Sequence, residues 1–97
     1  MIRMNIYLIT YDLKSPNRDY TNLYALIKDM GEWQHPLDSV WLIKTWRSAS
    51  GIYDILRREK GEKDLLMVVK VELSDIQGWL SKSFWNWVND NNDRNAL

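Results

Sequence analysis

The order of elements in this sequence predicts an α+β (α/β) sandwich of the ferredoxin-like β-α-β-β-α-β type, with an additional C-terminal helix. Two observations lead there. Strand-like segments with apolar side chains at alternating positions are separated by segments whose apolar residues recur at helical spacing. That alternation suits a small sheet with two helices on one face. The first and last strands are also apolar on both faces, so the second face must meet the C-terminal helix, another copy of the chain, or both.

The first strand is Met4-Asn5-Ile6-Tyr7-Leu8-Ile9-Thr10-Tyr11-Asp12. Ile6, Leu8 and Thr10 point to one face, and Tyr7, Ile9 and Tyr11 to the other. The strand delivers Asp12 to its end, before the turn-like Lys14-Ser15-Pro16-Asn17. Asp19 can cap a helix with Tyr20, Leu23, Tyr24, Ile27 and Met30 on its apolar side, and Gly31 stops it. From Glu32 to Trp46 the chain reads as two short strands about Pro36-Leu37-Asp38, or one bent strand. Proline cannot donate to a ladder, so a strand through Pro36 is an edge or is interrupted there. Ser48 or Ser50 caps a second helix burying Ile52, Ile55 and Leu56, with Arg57, Arg58 and Lys60 near its C-terminal end and Gly61 after it. Asp64–Val71 is a strand apolar on both faces. A third helix is expected from Ser74, packing Ile76, Trp79, Leu80, Phe84, Trp87 and Val88, with Trp85 turned outward. Residues 1–90 form one domain, and the polar stretch 91–97 reads as a disordered tail.

The chain has 97 residues, 45% hydrophobic and 27% charged, the composition of a globular domain. Thirteen basic residues balance thirteen acidic ones, which argues against a bulk nucleic-acid coat. With no cysteine and a single histidine, His35, thiol catalysis and a multi-histidine zinc site are excluded within one chain. No glycine-rich phosphate loop occurs, so no nucleotide cofactor is expected. No apolar run reaches the length of a membrane span, and the expected location is cytoplasmic.

Taken together, the strand ending Tyr11-Asp12, the helix closing at Gly31, and Gln34 leading into Ser39-Val40-Trp41 resemble a known pattern. It is that of the CRISPR-associated endoribonuclease family, the smaller of the two spacer-acquisition proteins of bacterial defence. The likeness covers about residues 4 to 72. The final helix is closer to stand-alone bacterial relatives of that superfamily, which also includes virulence-associated toxins that cleave RNA. The resemblance implies a ferredoxin-like homodimer in which the strand-end aspartates of both copies approach each other. It also implies metal-dependent cleavage of RNA or DNA, with Asp12 holding Mg²⁺ and Ser39 assisting at the phosphate. Other members are non-catalytic subunits that hold DNA. This chain departs from the pattern in two ways. Only Lys14 and Arg18 stand where the family carries several arginines, and His35-Pro36-Leu37-Asp38 lengthens the segment before Ser39.

Each candidate has a plainer reading beside the functional one. Asp12 is a hard oxygen ligand suited to Mg²⁺, or an acceptor for backbone N–H groups in the turn after its strand. Lys14, Arg18, Arg47, Arg57 and Arg58 suit phosphate contacts, yet Glu59, Glu62 and Asp64 interleave with the basic residues as on an ordinary solvated face. His35 is of the right type for acid–base work, although a His-Pro at a turn is more often structural. Ser39 is equally at home in the turn that starts a strand. Trp33, Trp41 and Trp46 can stack on bases or fill the core. The sequence therefore carries two functions: a metal-dependent phosphodiesterase centred on Asp12, and a non-catalytic dimer that holds nucleic acid or protein.

Overall fold

The structure is a computed structural model that describes residues 3–92. Its elements run β1 (Asn5–Asp12), α1 (Thr21–Asp29), β2 (Glu32–Leu37), β3 (Val40–Thr45), α2 (Ala49–Leu56), β4 (Leu65–Val71) and α3 (Lys82–Asn91). The four strands make one sheet in the order β2-β3-β1-β4, and every neighbouring pair is antiparallel. The molecule is thus a small α+β fold with a four-stranded antiparallel sheet and three helices. Among the described residues no helix is long and apolar enough to cross a membrane.

The two faces of β1 found in the sequence are the two faces of the sheet. Tyr7 and Ile9 pack with Trp41 and Ile43 of β3 beneath Leu23 and Ile27 of α1 and Ile52 and Leu56 of α2. Ile9, Ile43, Leu23, Ile27, Ile52 and Leu56 are fully buried there. Each such side chain contributes about 1.5–3 kcal/mol by leaving water. Ile6 and Leu42 lie on the opposite face with Leu73 and with Phe84 and Val88 of α3.

Local signals set the element ends. Asp19 accepts from the Thr21 amide (2.9 Å) and the Thr21 hydroxyl (2.5 Å), fastening the start of α1. Gly31 follows α1 at φ +156°, and a Cβ there would sit 2.1 Å from the Lys44 carbonyl oxygen, so only glycine fits between α1 and β3. Ser48 caps α2 by accepting from the Gly51 amide at 3.0 Å. Pro36 stands in β2, an edge strand. The β2–β3 register slips by one residue between Gln34 and Leu37, a bulge at His35-Pro36. The extra residue turns Leu37 to the same face as Val40, away from α1 and α2.

One expected element begins later than its apolar spacing suggests. Residues 74–81 are not helical. Helix α3 starts at Lys82, where the Ser81 hydroxyl accepts from the Phe84 amide at 3.2 Å. The cap and Gly78 outweigh the helical spacing of Ile76 and Leu80. Trp79, expected to pack, is consequently 100% exposed, while Trp85, expected outside, is half-buried against Phe84. Helix α3 reaches Asn91, and residues 93–97 of the expected tail lie outside the described residues.

Helix α3 covers only part of the sheet's second face. Ile6, Leu42 and Val71, near one end, pack against it. Toward the other end β4 exposes its outward side chains: Val69 at 40%, Met67 at 56% and Leu65 at 62%. Leu37 is 54% exposed on the same face. Both a helix and bare surface therefore answer the question posed by the two-faced strands.

Candidate functional site

The bare half of the sheet ends at Asp12. The β1–β4 register places Asp12 opposite Leu65 and Thr10 opposite Met67. Thr10, Asp12, Leu65 and Met67 line a shallow depression there. The Asp12 carboxylate is 60% exposed and pairs with the Lys14 ammonium at 2.7 Å. An exposed pair of this kind contributes about 0–1 kcal/mol, so it leaves Asp12 accessible.

A second aspartate builds the loop that carries Lys14. Asp64 is buried just before β4 and accepts three hydrogen bonds of 2.6 Å. Its Oδ1 takes the Lys14 amide, and its Oδ2 takes the Tyr20 hydroxyl and the Gly61 amide. Burial alone would push the Asp64 carboxyl up, but these donors and the nearby Arg18 charge together hold it below its ordinary value. Tyr20 is pushed up, by burial and because its proton is donated to Asp64. Gly61 has no room for a side chain, since a Cβ would come 2.8 Å from Asp64 Oδ2 and 3.2 Å from Ser15 Oγ. The loops 13–20 and 57–64 are thus tied together by one carboxylate.

The other candidates divide by position. Arg18 donates to the Glu59 carbonyl at 3.3 Å and lies 5.9 Å from the Tyr20 ring centroid. Arg57 and Arg58 are exposed in the turn after α2, on the Asp12 end of the sheet, with Arg57 Nε 3.5 Å from Asp54. Ser39 is at that end too. Its carbonyl accepts from the Tyr11 amide at 3.3 Å, so its backbone helps hold the β2–β3 turn against β1. Arg47 follows β3 at the opposite end, over the Trp46 ring at 4.6 Å. Six of the seven candidates therefore share one end of the sheet, and Arg47 does not join them.

The aromatic residues serve the β2–β3 hairpin. Trp41 is 2% exposed, sandwiched between His35, whose ring stacks at 3.7 Å and 11°, and Tyr24 at 6.1 Å. Its indole N–H donates to the Tyr11 hydroxyl, which donates to the Asp38 carbonyl. His35 Nε2 lies 3.1 Å from that carbonyl. Among the described residues no three His, Cys, Asp or Glu side chains gather as a metal site.

Asp64 is the residue that sequence reasoning misplaced, as part of a solvated charged face. The signal was the pairing of Gly61 with an aspartate three residues on, immediately before an apolar strand. In comparisons with known proteins, no family model, no curated protein and no solved structure matches the chain.

Proposed function

We propose that the chain works as a homodimeric, ferredoxin-like module that holds a partner, akin to the non-catalytic members of the CRISPR-associated endoribonuclease superfamily. The strand order, written β4-β1-β3-β2, and the two helical crossovers β1-α1-β2 and β3-α2-β4 support the ferredoxin-like reading. The observation that carries the dimer is the half-covered sheet. Leu65, Met67 and Val69 form an apolar surface beside the free edge of β4, and Leu37 lies on the same face at the opposite edge of the sheet, on β2. Such a patch and such an edge are what soluble proteins cover. A two-fold axis there sets the same patch against itself, as isologous interfaces require.

The Asp12 end favours holding over cutting. Mg²⁺ is bound by one or two carboxylates together with substrate phosphates. In one chain the carboxylate at this place has an ammonium 2.7 Å away, which opposes a dication. The residues of a single chain therefore do not fit the ion. One observation favours the phosphodiesterase as the second reading. Asp12 stands exposed at the bare half-face, so dimerisation there brings two copies of its carboxylate toward one axis.

The test joins mass to activity. Light scattering at micromolar concentration should give about twice the 11.6 kDa of one chain, and Met67→Glu should halve it. A wild-type monomer overturns the dimer. Labelled RNA and double-stranded DNA are then incubated with Mg²⁺, Mn²⁺ or EDTA and either wild type or Asp12→Ala. Metal-dependent cutting that vanishes in Asp12→Ala replaces the holding module with the enzyme.

A further inference from the structure

Between α3 and the non-helical segment that precedes it runs a groove of about 350 Å³. Trp85, Val88 and Asn89 line it from α3, and Gln77 and Gly78 line it from the segment 74–81. Among the described residues no charged side chain lines it. From this juxtaposition of one indole with uncharged amides we propose that the groove binds a neutral sugar ring.

Helical spacing builds the α3 wall. Trp85, Val88 and Asn89 stand three and four residues apart, so they share one face of the helix. The Trp85 ring is set by its neighbour, the buried Phe84, which it meets edge-on at 5.4 Å between centroids and 69°. A wall fixed before the ligand arrives lowers the ordering cost of binding. Gly78 keeps the groove wide, since even a Cβ there would meet nothing closer than Leu80 at 3.8 Å. Two polar groups at the groove are uncommitted. The Trp41 and Trp87 indoles donate to Tyr11 and Glu32. Among the described residues nothing accepts from the Trp85 indole, and the Gln77 amide holds no partner. The Trp85 N–H is nevertheless open to solvent, so a ligand can reach it.

The wall chemistry selects the ligand. With no charge in the walls, nothing there compensates a charged ligand for leaving water, so the ligand is neutral. An amide carries both donors and acceptors, and so does a hydroxyl; Gln77 and Asn89 can meet sugar hydroxyls in either role. A sugar ring has an apolar C–H face and a polar rim, which matches one indole edged by amides. A nucleobase is apolar on both faces and would leave one of them against amides. Small-ligand sites of about 300–1,000 Å³ combine apolar walls with a few polar groups, and this groove has both, with Leu73 and Ile76 completing the apolar part. None of these residues belongs to the bare half of the sheet, so the proposal does not rest on the dimer.

Indole and amide chemical shifts followed by NMR test the site, with N-acetylglucosamine, methyl α-glucoside and methyl β-galactoside as probes and glycerol and adenosine as controls. Saturable shifts are expected at the Trp85 indole and at Gln77 and Asn89 with at least one of the three sugars, and not with glycerol. Trp85→Ala should abolish them. Gln77→Ala, an exposed change, should weaken binding several-fold, the usual effect of losing one hydrogen bond, and serves if Trp85→Ala does not fold. Trp79→Ala removes an indole that is fully exposed outside the groove and should change nothing. Four results overturn the proposal. They are shifts that fail to saturate with all three sugars, equal shifts with glycerol, and tighter binding of adenosine than of any sugar. The fourth is loss of binding in Trp79→Ala while Gln77→Ala keeps it.

Discussion

Asp12 and Asp64 stand at the same end of one sheet and have opposite surroundings. Asp12 ends β1, is 60% exposed, and has an exposed lysine as its partner. Asp64 precedes β4, is 3% exposed, and accepts two backbone amides and a tyrosine hydroxyl. Residue type and position along a strand do not separate them; solvent and donor count do. A carboxylate surrounded by donors is committed to the fold. One at the surface with an exposed counter-ion remains available to a ligand.

The contrast breaks first at Asp64. Asp64→Ala leaves the Lys14 amide, the Tyr20 hydroxyl and the Gly61 amide without their acceptor. Each orphaned buried donor costs about 1 kcal/mol or more, so a loss of about 3 kcal/mol is expected in urea unfolding. A loss below about 1 kcal/mol would mean that water replaces the carboxylate and that the two aspartates are alike. Next comes Gly61→Ala, whose new methyl presses on Asp64 Oδ2 and Ser15 Oγ. Overpacking of this kind costs about 1–3 kcal/mol. The same unfolding measurement reads it, and it should add little to Asp64→Ala, because the two changes disrupt one contact.

The pH dependence sharpens the contrast. The folded state holds the Asp64 carboxyl below its ordinary value, so the unfolded chain takes up the proton first as the solution is acidified. This contribution to stability is present above the unfolded value of about 3.9 and is lost as pH falls below it toward the folded value. Tyr20 acts in the opposite sense. Its raised value makes stability decline as pH rises past the unfolded tyrosine value of about 10. Unfolding followed from pH 2 to 5 should show a slope that is shallower in Asp64→Asn. An unchanged slope would assign the acid sensitivity to other carboxylates.

Much of the fold could be read because its signals are local. Alternation in β1 set the two faces, Gly31 and Ser48 marked helix ends, and Pro36 marked an edge strand. The Asp64 hub could not be read in the same way. Its partners Lys14 and Tyr20 are 50 and 44 residues away, and only the closed sheet brings them together. Trp79 shows the reverse failure. Its spacing matched a helix face, but the Ser81 cap starts the helix after it. Of the candidate site, the grouping of Asp12, Lys14, Arg18, Ser39, Arg57 and Arg58 at one end follows from element order alone. The contact between Lys44 and Asn91 was hidden, because α3 supplies Asn91 only once it folds over the sheet.

The smallest effect is expected at Asp12, and it bears most directly on function. Asp12→Ala removes one exposed ion pair, and the change in unfolding free energy should stay within about 1 kcal/mol. A variant that folds as well as wild type makes any loss of partner binding or of cleavage attributable to the carboxylate itself. If Asp12→Ala were instead as damaging as Asp64→Ala, the exposed aspartate would be a second structural hub. The bare end of the sheet would then have to be explained by the apolar patch alone. Lys14→Met separates these cases further. It keeps the Lys14 amide on Asp64 while removing the ammonium from Asp12, so it should cost as little as Asp12→Ala.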